Sequence, residues 1–270
     1  MYPYINLFGL RLGTYGVCTL VGLALLVILS IRFNKKRFNI DFDDTFIVLF
    51  VCGGFGFIGA HILYGITNIS SIIEISKNIS TLGFFEYLKS FFNLCGGMVF
   101  YGGFIGAVLG VIFICKVYKP LNGHTKHELD VLSVTFPLFH VFGRIGCFFA
   151  GCCYGIESEF GFFIRENEVN PSITGVTRLP IQLIEAFLNL LIFFVMYVLF
   201  KKRILSDKLI YIYMIIYGTI RFIDEFFRGD TYRGILFSLS TSQWISLILI
   251  IFSVVMLIVS KSKISKKEDT

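Results

Sequence analysis

Long apolar runs alternate with short polar segments along the whole chain. A helix that crosses a membrane needs about 20 apolar residues, with a range of roughly 17 to 25. Such runs occur at about 15–31, 46–65, 93–115, 131–150, 181–200, 209–227 and 241–260. The pattern predicts an all-α polytopic membrane protein of about seven transmembrane helices. We expect a single transmembrane domain over residues 1–260 and a cytoplasmic tail at 261–270.

Composition supports this fold class. Hydrophobic residues make up 56% of the chain and charged residues 16%, whereas about a quarter of the residues of a soluble domain are charged. Between the fourth and fifth runs, residues 154–180 are rich in glycine, asparagine and proline. This composition predicts turns and short strands, which we expect to form a small periplasmic or extracellular cap.

The distribution of positive charge predicts the orientation of the helices. The net charge is +6, but lysines and arginines are dispersed between the spans instead of lining one face, so we expect no nucleic-acid partner. Most of them follow alternate spans, in the groups Arg32, Lys35, Lys36 and Arg37; Lys116, Lys119 and Lys126; Lys201, Lys202, Arg203 and Lys208; and Lys261, Lys263, Lys266 and Lys267. By the positive-inside rule the N-terminus lies outside and the C-terminus inside.

With this topology, polar residues of nearly every span collect at the outer ends. Arg144 and Arg221 lie within or at the edge of spans, where a charge costs about 2.5–3.5 kcal/mol on insertion scales and usually faces a partner or a cavity. Arg221 can pair with Glu225 one helical turn away. Arg144 has no acidic residue within four positions, so its partner comes from elsewhere in the fold. A backbone carbonyl is the plain alternative, and a lipid phosphate fits a guanidinium fork.

Glycines fall into two groups. Those of the second and third spans predict close helix packing. Around Gly96-Gly97 and between Gly151 and Gly155 their density exceeds what packing needs, and we expect irregular backbone lining a cavity there.

Three cysteines, Cys147, Cys152 and Cys153, lie close together near the predicted outer surface. A disulfide from Cys147 to either of the others and free thiols both stay open. Three sulfur atoms within seven residues are an incomplete zinc set, so we expect no metal, and we expect no other cofactor.

Several motifs together make the chain resemble the bacterial prolipoprotein diacylglyceryl transferases. In family order, these are TYG at 14–16, GGMVFYGGFIG at 96–106, GRIG at 143–146 with its continuation to Gly155, PIQLIE at 180–185, YGTIRFIDEFFR at 217–228 and Ser-x-x-Gln at 240–243. The resemblance covers nearly the whole chain. It implies an enzyme of the bacterial cytoplasmic membrane that moves the diacylglyceryl group of phosphatidylglycerol onto the lipobox cysteine of a secreted prolipoprotein. Its active site would face the outer leaflet.

The resemblance also implies roles for individual residues. Arg144 would bind the lipid phosphate and offset the charge of the leaving group, and Arg221 would activate or orient the same group. Tyr101 stands where the family usually has a catalytic histidine, so it is the third candidate catalytic residue. The remaining implied substrate contacts are Tyr15, Gly143, Gly146, Cys147, Gly155, Gln182, Glu185, Tyr217, Glu225 and Gln243.

The chain departs from the family pattern at positions that matter for proton transfer. Besides Tyr101, Cys147, Ala150 and Cys152 replace two asparagines and a glutamate of the signature, and Leu179 replaces a histidine. His61 and His140 are alternative bases.

Two other functions stay open at this point. A thiol-redox membrane protein would use Cys147, Cys152 and Cys153. A non-catalytic relative would bind phospholipid through Arg144 and Arg221 without modifying any thiol.

Overall fold

The computed structural model describes residues 2–7, 9–70, 73, 77, 97–168, 170–230 and 235–268. Its main elements are helices. They are α1 Thr14–Phe33, α2 Phe42–Thr67, α3 Phe100–Val117, α4 Thr125–Ala150, α5 Ile181–Lys201, α6 Leu209–Asp224 and α7 Thr241–Glu268. Short antiparallel strand pairs accompany them: β1 Tyr4–Leu7 with β2 Leu10–Gly13, β3 Glu157–Phe163 with β4 Thr177–Arg178, and β5 Ile235–Leu236 with β6 Leu239–Ser240.

The helices confirm the predicted all-α membrane fold class. Within the described residues, six helices are long and apolar enough to cross a bilayer. They contain or overlap six of the predicted spans. The remaining span, 209–227, corresponds to α6, whose 16 residues extend about 24 Å against a hydrocarbon core of about 30 Å. The count of seven and the orientation stay predictions.

The third helix begins later than its apolar run indicates. The run was expected to be helical from about residue 93, but α3 begins at Phe100. Residues 93–96, including Gly96 with its predicted cavity-lining backbone, lie outside the described part of the chain. Gly97 to Val99 precede the helix without regular secondary structure, and Val99 is extended.

The chain divides into two compact units, residues 1–39 with 129–270, and residues 40–128. In the second unit α2 and α3 pack through glycines, which confirms the packing interpretation of that group. A Cβ at Gly59 would lie 2.4 Å from the carbonyl oxygen of Gly102, and one at Gly106 would lie 2.2 Å from that of Phe55. Such distances exclude any side chain, so glycine is required for the two helices to approach this closely.

In the first unit, polar contacts fix the positions of the long helices. Ser30 of α1 donates to Thr135 of α4 at 3.3 Å, inside the apolar interior. Asp130 of α4 accepts the backbone N–H groups of Asp207 and Leu209 at 2.7 and 3.0 Å. Because the first N–H groups of a helix have no partner within it, this carboxylate satisfies the start of α6 and anchors it to α4.

The described residues of 154–180 form turns, two short strands and a 3-10 turn at Pro171–Ile173, and their location outside the membrane stays a prediction. The segment is held against the chain that follows α6. Gly229 donates to the carbonyl oxygen of Tyr154 at 2.9 Å, and Ile156 donates to that of Phe227 at 3.0 Å. A Cβ at Gly155 would lie 2.3 Å from the carbonyl oxygen of Leu179, so only glycine fits this crossing.

Candidate active site

Three helix ends of the first unit bring the predicted polar residues together. The last turns of α4 carry His140, Arg144 and Cys147, and the first turns of α5 carry Gln182 and Glu185. The end of α6, with the short 3-10 turn Glu225–Phe227 behind it, adds residues from Tyr217 onward. The sequence places each of these near a span end, and the fold joins them.

Glu185 bridges the two arginines. One carboxylate oxygen contacts the Arg144 guanidinium, and the other accepts from Nη1 of Arg221 at 3.2 Å. Arg221 also contacts Glu225 through Nη2 at 2.7 Å, so the pairing that the spacing of one helical turn allows is present. All four side chains are at most 9% exposed. This buried network of two cations and two anions is the electrostatic centre of the site.

Arg144 finds its partner on another helix, as expected for a residue with no acidic neighbour in sequence. Its side chain is 9% exposed, and its Nε–H has no hydrogen-bond acceptor among the described residues. A guanidinium carries five N–H donors in a fixed fork. A buried donor without an acceptor is costly, so this side of Arg144 is suited to an anionic ligand.

An aromatic and polar layer lies one turn deeper along α4 and α6. The His140 ring lies 5.4 Å from that of Tyr217, which stacks on Tyr213 at 5.7 Å. Asn189 of α5 is also buried, and its Nδ2 donates to the carbonyl oxygen of Glu185 at 2.8 Å. His140 and Tyr217 are both buried, and each lies one helical turn before the arginine of its own helix.

The two predicted glutamines make contacts that hold backbone in place. Nε2 of Gln182 donates to the carbonyl oxygen of Cys152 at 2.9 Å. Gln243 accepts from the backbone N–H of Ser240 at 2.9 Å, and its Nε2 donates to the carbonyl oxygen of Phe222 at 3.4 Å, beside Arg221. Both side chains therefore position the loop or helix that carries a site residue.

The two glycines of the GRIG motif differ in how closely neighbouring groups approach them. A Cβ at Gly146 would lie 3.1 Å from both Cα and a ring carbon of Tyr15, so this glycine lets α1 approach α4. A Cβ at Gly143 would meet no neighbouring group within 4 Å among the described residues, and packing alone does not require a glycine there. Gly155, as shown above, is required by the crossing with Leu179.

The three cysteines come together at the end of α4, C-terminal to Arg144. The chain turns sharply after α4, with positive φ at Gly151 (77°) and Cys153 (55°), and the three Sγ atoms all lie within 4.8 Å of one another. Every cysteine that the structure describes is a free thiol. The pKa of Cys153 lies well below its ordinary value because hydrogen bonds from Cys147 and Cys152 stabilise its thiolate. The charges of Arg228 and Arg144 add to this effect.

Tyr101 and His61 belong to the other unit. Tyr101 is 2% exposed on α3, and His61 on α2 bonds the carbonyl oxygen of Phe57 at 2.8 Å and lies against its ring. The contact within its own helix is the ordinary role of a histidine in such a position. A catalytic role for Tyr101 stays a prediction.

Three charged residues near this site are not among the site residues predicted from the sequence. Asp224 is 5% exposed at the end of α6, and Arg228 forms a two-point ion pair with Asp230 at 3.0 and 2.6 Å. The signal was present, since charged residues follow Arg221 at short intervals in RFIDEFFRGD. Only the fold shows that Arg228 lies beside the cysteine turn, where its backbone pairs with Gly155 and its charge interacts with Cys153.

Known proteins similar to this chain agree with the resemblance. A family model described as prolipoprotein diacylglyceryl transferase matches residues 3–259. A phosphatidylglycerol--prolipoprotein diacylglyceryl transferase of Clostridium tetani is 33% identical, over 92% of this chain and 93% of its own length. Relatives of the same description from Clostridium perfringens and Campylobacter jejuni are 30% and 29% identical, each over 96% of this chain.

The matched region contains all the helices of the candidate site, and identity of this level extends over nearly the full length of both proteins. The chain therefore belongs to the prolipoprotein diacylglyceryl transferase family.

Proposed function

We propose that this chain transfers the diacylglyceryl group of phosphatidylglycerol to the thiol of a prolipoprotein cysteine, the first step of bacterial lipoprotein maturation. The observation that carries the proposal is Arg144: a buried guanidinium, fixed by Glu185 on one side, with an Nε–H donor left unmatched among the described residues. A phosphodiester supplies the acceptor that this donor lacks.

The reaction needs charge stabilisation more than any other assistance. The thiolate sulfur forms a bond to the glyceryl carbon that bears the phosphate ester, the carbon–oxygen bond breaks, and glycerol phosphate leaves with the electron pair. The leaving phosphate gains one negative charge in this step. Donors already aimed at the place where charge develops are worth roughly 2.7–4 kcal/mol each in enzymes of other classes. Arg144 supplies them directly, and Arg221 adds a second positive charge through the same network.

Glu185 and Glu225 have a positioning role in this proposal. Two guanidinium groups repel each other, and a shared carboxylate holds both within one small volume. Because Glu185 takes only part of the Arg144 fork, the remainder stays available to the lipid. Tyr217, Gln182 and Gln243 support the helices that carry these groups, and Gly143 leaves open space next to Arg144.

The site is proposed to face the outer leaflet of the bacterial cytoplasmic membrane. Basic residues gather at the ends of α1 and α5 away from the site, as in Arg37 and Lys201, which supports this orientation under the positive-inside rule. An outward site meets a precursor that has just been exported.

Purified protein in lipid nanodiscs, incubated with a lipobox peptide, tests the proposal. We expect a diacylglyceryl mass gain with phosphatidylglycerol and none with phosphatidylethanolamine as the sole lipid, or with a peptide whose cysteine is serine. Arg144→Ala should lower the rate at least about 100-fold. Arg37→Ala is the matched control, because Arg37 contacts Phe200 and Ser206 away from the site. An equal loss in both variants would assign the effect to folding and contradict the role of Arg144.

A further inference from the structure

The turn after α4 places three thiols where a metal ion could be held, next to the proposed lipid site. We propose that Cys147, Cys152 and Cys153 bind one Zn²⁺ ion, whose fourth coordination position takes the acceptor thiol. The zinc site is independent of the proposed function, whereas the binding of the acceptor thiol rests on it.

The geometry of the sulfur atoms is the first argument. The three Sγ atoms lie within 4.8 Å of one another. With zinc–sulfur bonds of about 2.3 Å, ligands of a tetrahedral site are about 3.8 Å apart. The upper limit of the observed separations is thus about 1 Å larger than the separation in such a site. From sequence spacing three ligands are too few for a structural zinc site, but a zinc ion that performs chemistry keeps three protein ligands and one open position.

The backbone of the turn is fixed by contacts that do not involve the sulfur atoms. Gln182 holds the carbonyl oxygen of Cys152, and Asn167 donates to that of Ala150 at 3.3 Å. Gly151 and Cys152 both donate to the carbonyl oxygen of Cys147. These contacts, with Cys153 in the left-handed region at φ 55°, hold the turn that carries the three thiols.

Charge and access complete the case. Three thiolates with one Zn²⁺ carry a net charge of −1, and Arg144 and Arg228 interact electrostatically with Cys153. These cations stabilise the anionic complex. Cys147 is buried and Cys153 half-buried, but Cys152 is exposed, so a fourth ligand can reach an ion on these sulfur atoms.

Coordination of the acceptor thiol as the fourth ligand would supply the thiolate that the reaction needs. A cysteine thiol has a pKa of about 8.5, and only a few per cent is ionised at neutral pH. Glu185 and Glu225 are already held in ion pairs by Arg144 and Arg221. A thiol that coordinates zinc is deprotonated, its proton passing to water. Its sulfur then forms the bond to the glyceryl carbon, and glycerol phosphate leaves as before.

Metal content and activity test the two halves separately. Protein kept reduced with a phosphine is stripped with a chelator, supplied with Zn²⁺, washed, and analysed for zinc per chain by plasma mass spectrometry. We expect about one ion, lost in Cys147→Ser, Cys152→Ser and Cys153→Ser but retained in Cys18→Ser, the matched thiol outside the cluster. Cd²⁺ should give sulfur-to-metal charge-transfer absorption with the same variant pattern. Helical circular dichroism confirms that each variant is folded.

In the activity arm, zinc should raise the rate of peptide lipidation over the stripped protein by up to about 30-fold, the gain from full ionisation of a thiol that is otherwise a few per cent ionised. Absence of bound zinc, retention of zinc in the three variants, or a disulfide within the cluster under reducing conditions would overturn the metal site. Bound zinc with an unchanged rate would overturn the activation of the acceptor. If no preparation lipidates the peptide, the proposed function fails, while the zinc content still decides the metal site.

Discussion

Replacing Glu185 by glutamine should disable the site without removing any side chain that contacts the lipid in our proposal. Glutamine keeps the shape of the side chain but removes the negative charge shared by Arg144 and Arg221. Breaking a buried ion pair by removal of one partner costs about 3–5 kcal/mol. Because glutamine retains one oxygen as an acceptor, we expect the total interaction free energy lost to be near the lower end of this range, about 3 kcal/mol.

Part of this loss should be visible in the rate. An arginine displaced by about 1 Å costs an enzyme about 100-fold, equivalent to about 2.7 kcal/mol. We therefore expect kcat/KM for peptide lipidation to fall about 100-fold in Glu185→Gln, after correction for the folded fraction. The assay is the initial rate of lipidated peptide in phosphatidylglycerol nanodiscs, with thermal unfolding in detergent measured on the same preparations.

The neighbouring carboxylate provides a matched control. Glu225 pairs with Arg221 and is as buried as Glu185, but no contact joins it to Arg144 in the ion-pair network described above. Glu225→Gln should lower kcat/KM by about 10-fold, roughly the value of one charge-assisted hydrogen bond. A Glu185→Gln protein within about threefold of the unsubstituted rate, or a larger loss in Glu225→Gln, would refute the bridging role.

Other substitutions test the fold around the site. Asp130→Ala should lower the free energy of unfolding by about 1–3 kcal/mol, because the backbone N–H of Leu209 at the start of α6 loses its acceptor. The lipidation rate per folded molecule should stay within about twofold. A loss of rate as large as the loss of stability would contradict the capping role. Gly155→Ala should lower the thermal midpoint by several degrees, since its Cβ would meet the carbonyl oxygen of Leu179, and an unchanged midpoint would contradict this crossing. Gly143→Ala meets no atom within 4 Å and should unfold at an unchanged or slightly higher temperature; a lower rate in this variant would then report contact with the lipid.

Sequence reasoning predicted the helices well, because long apolar runs specify a transmembrane helix almost independently of context. It also identified the Arg221–Glu225 pair as one alternative, because this pair depends only on helical periodicity. The Arg144–Glu185 pair was beyond it, since the two residues are 41 positions apart and meet only through packing of α4 with α5. For the same reason sequence alone expected a partner for Arg144 without identifying which one.

The cysteine turn shows a second limit. The spacing of Cys147, Cys152 and Cys153 leaves both a disulfide and separate thiols open. Convergence of the sulfur atoms depends on two residues with positive φ, and a non-glycine residue such as Cys153 adopts that conformation only when its surroundings require it. The late start of α3 at Phe100 is a similar case, since apolar composition continues through Gly97 to Val99, which are not helical.

The most direct test of the account measures both products of one reaction. Protein in nanodiscs with phosphatidylglycerol labelled in the headgroup glycerol and a lipobox peptide should yield thioether-linked diacylglyceryl peptide and labelled glycerol phosphate in equal amounts, with both absent in Arg144→Ala. Glycerol phosphate without modified peptide would indicate a phospholipase. Lipid binding with neither product would indicate a phospholipid-binding relative and contradict the proposed transfer.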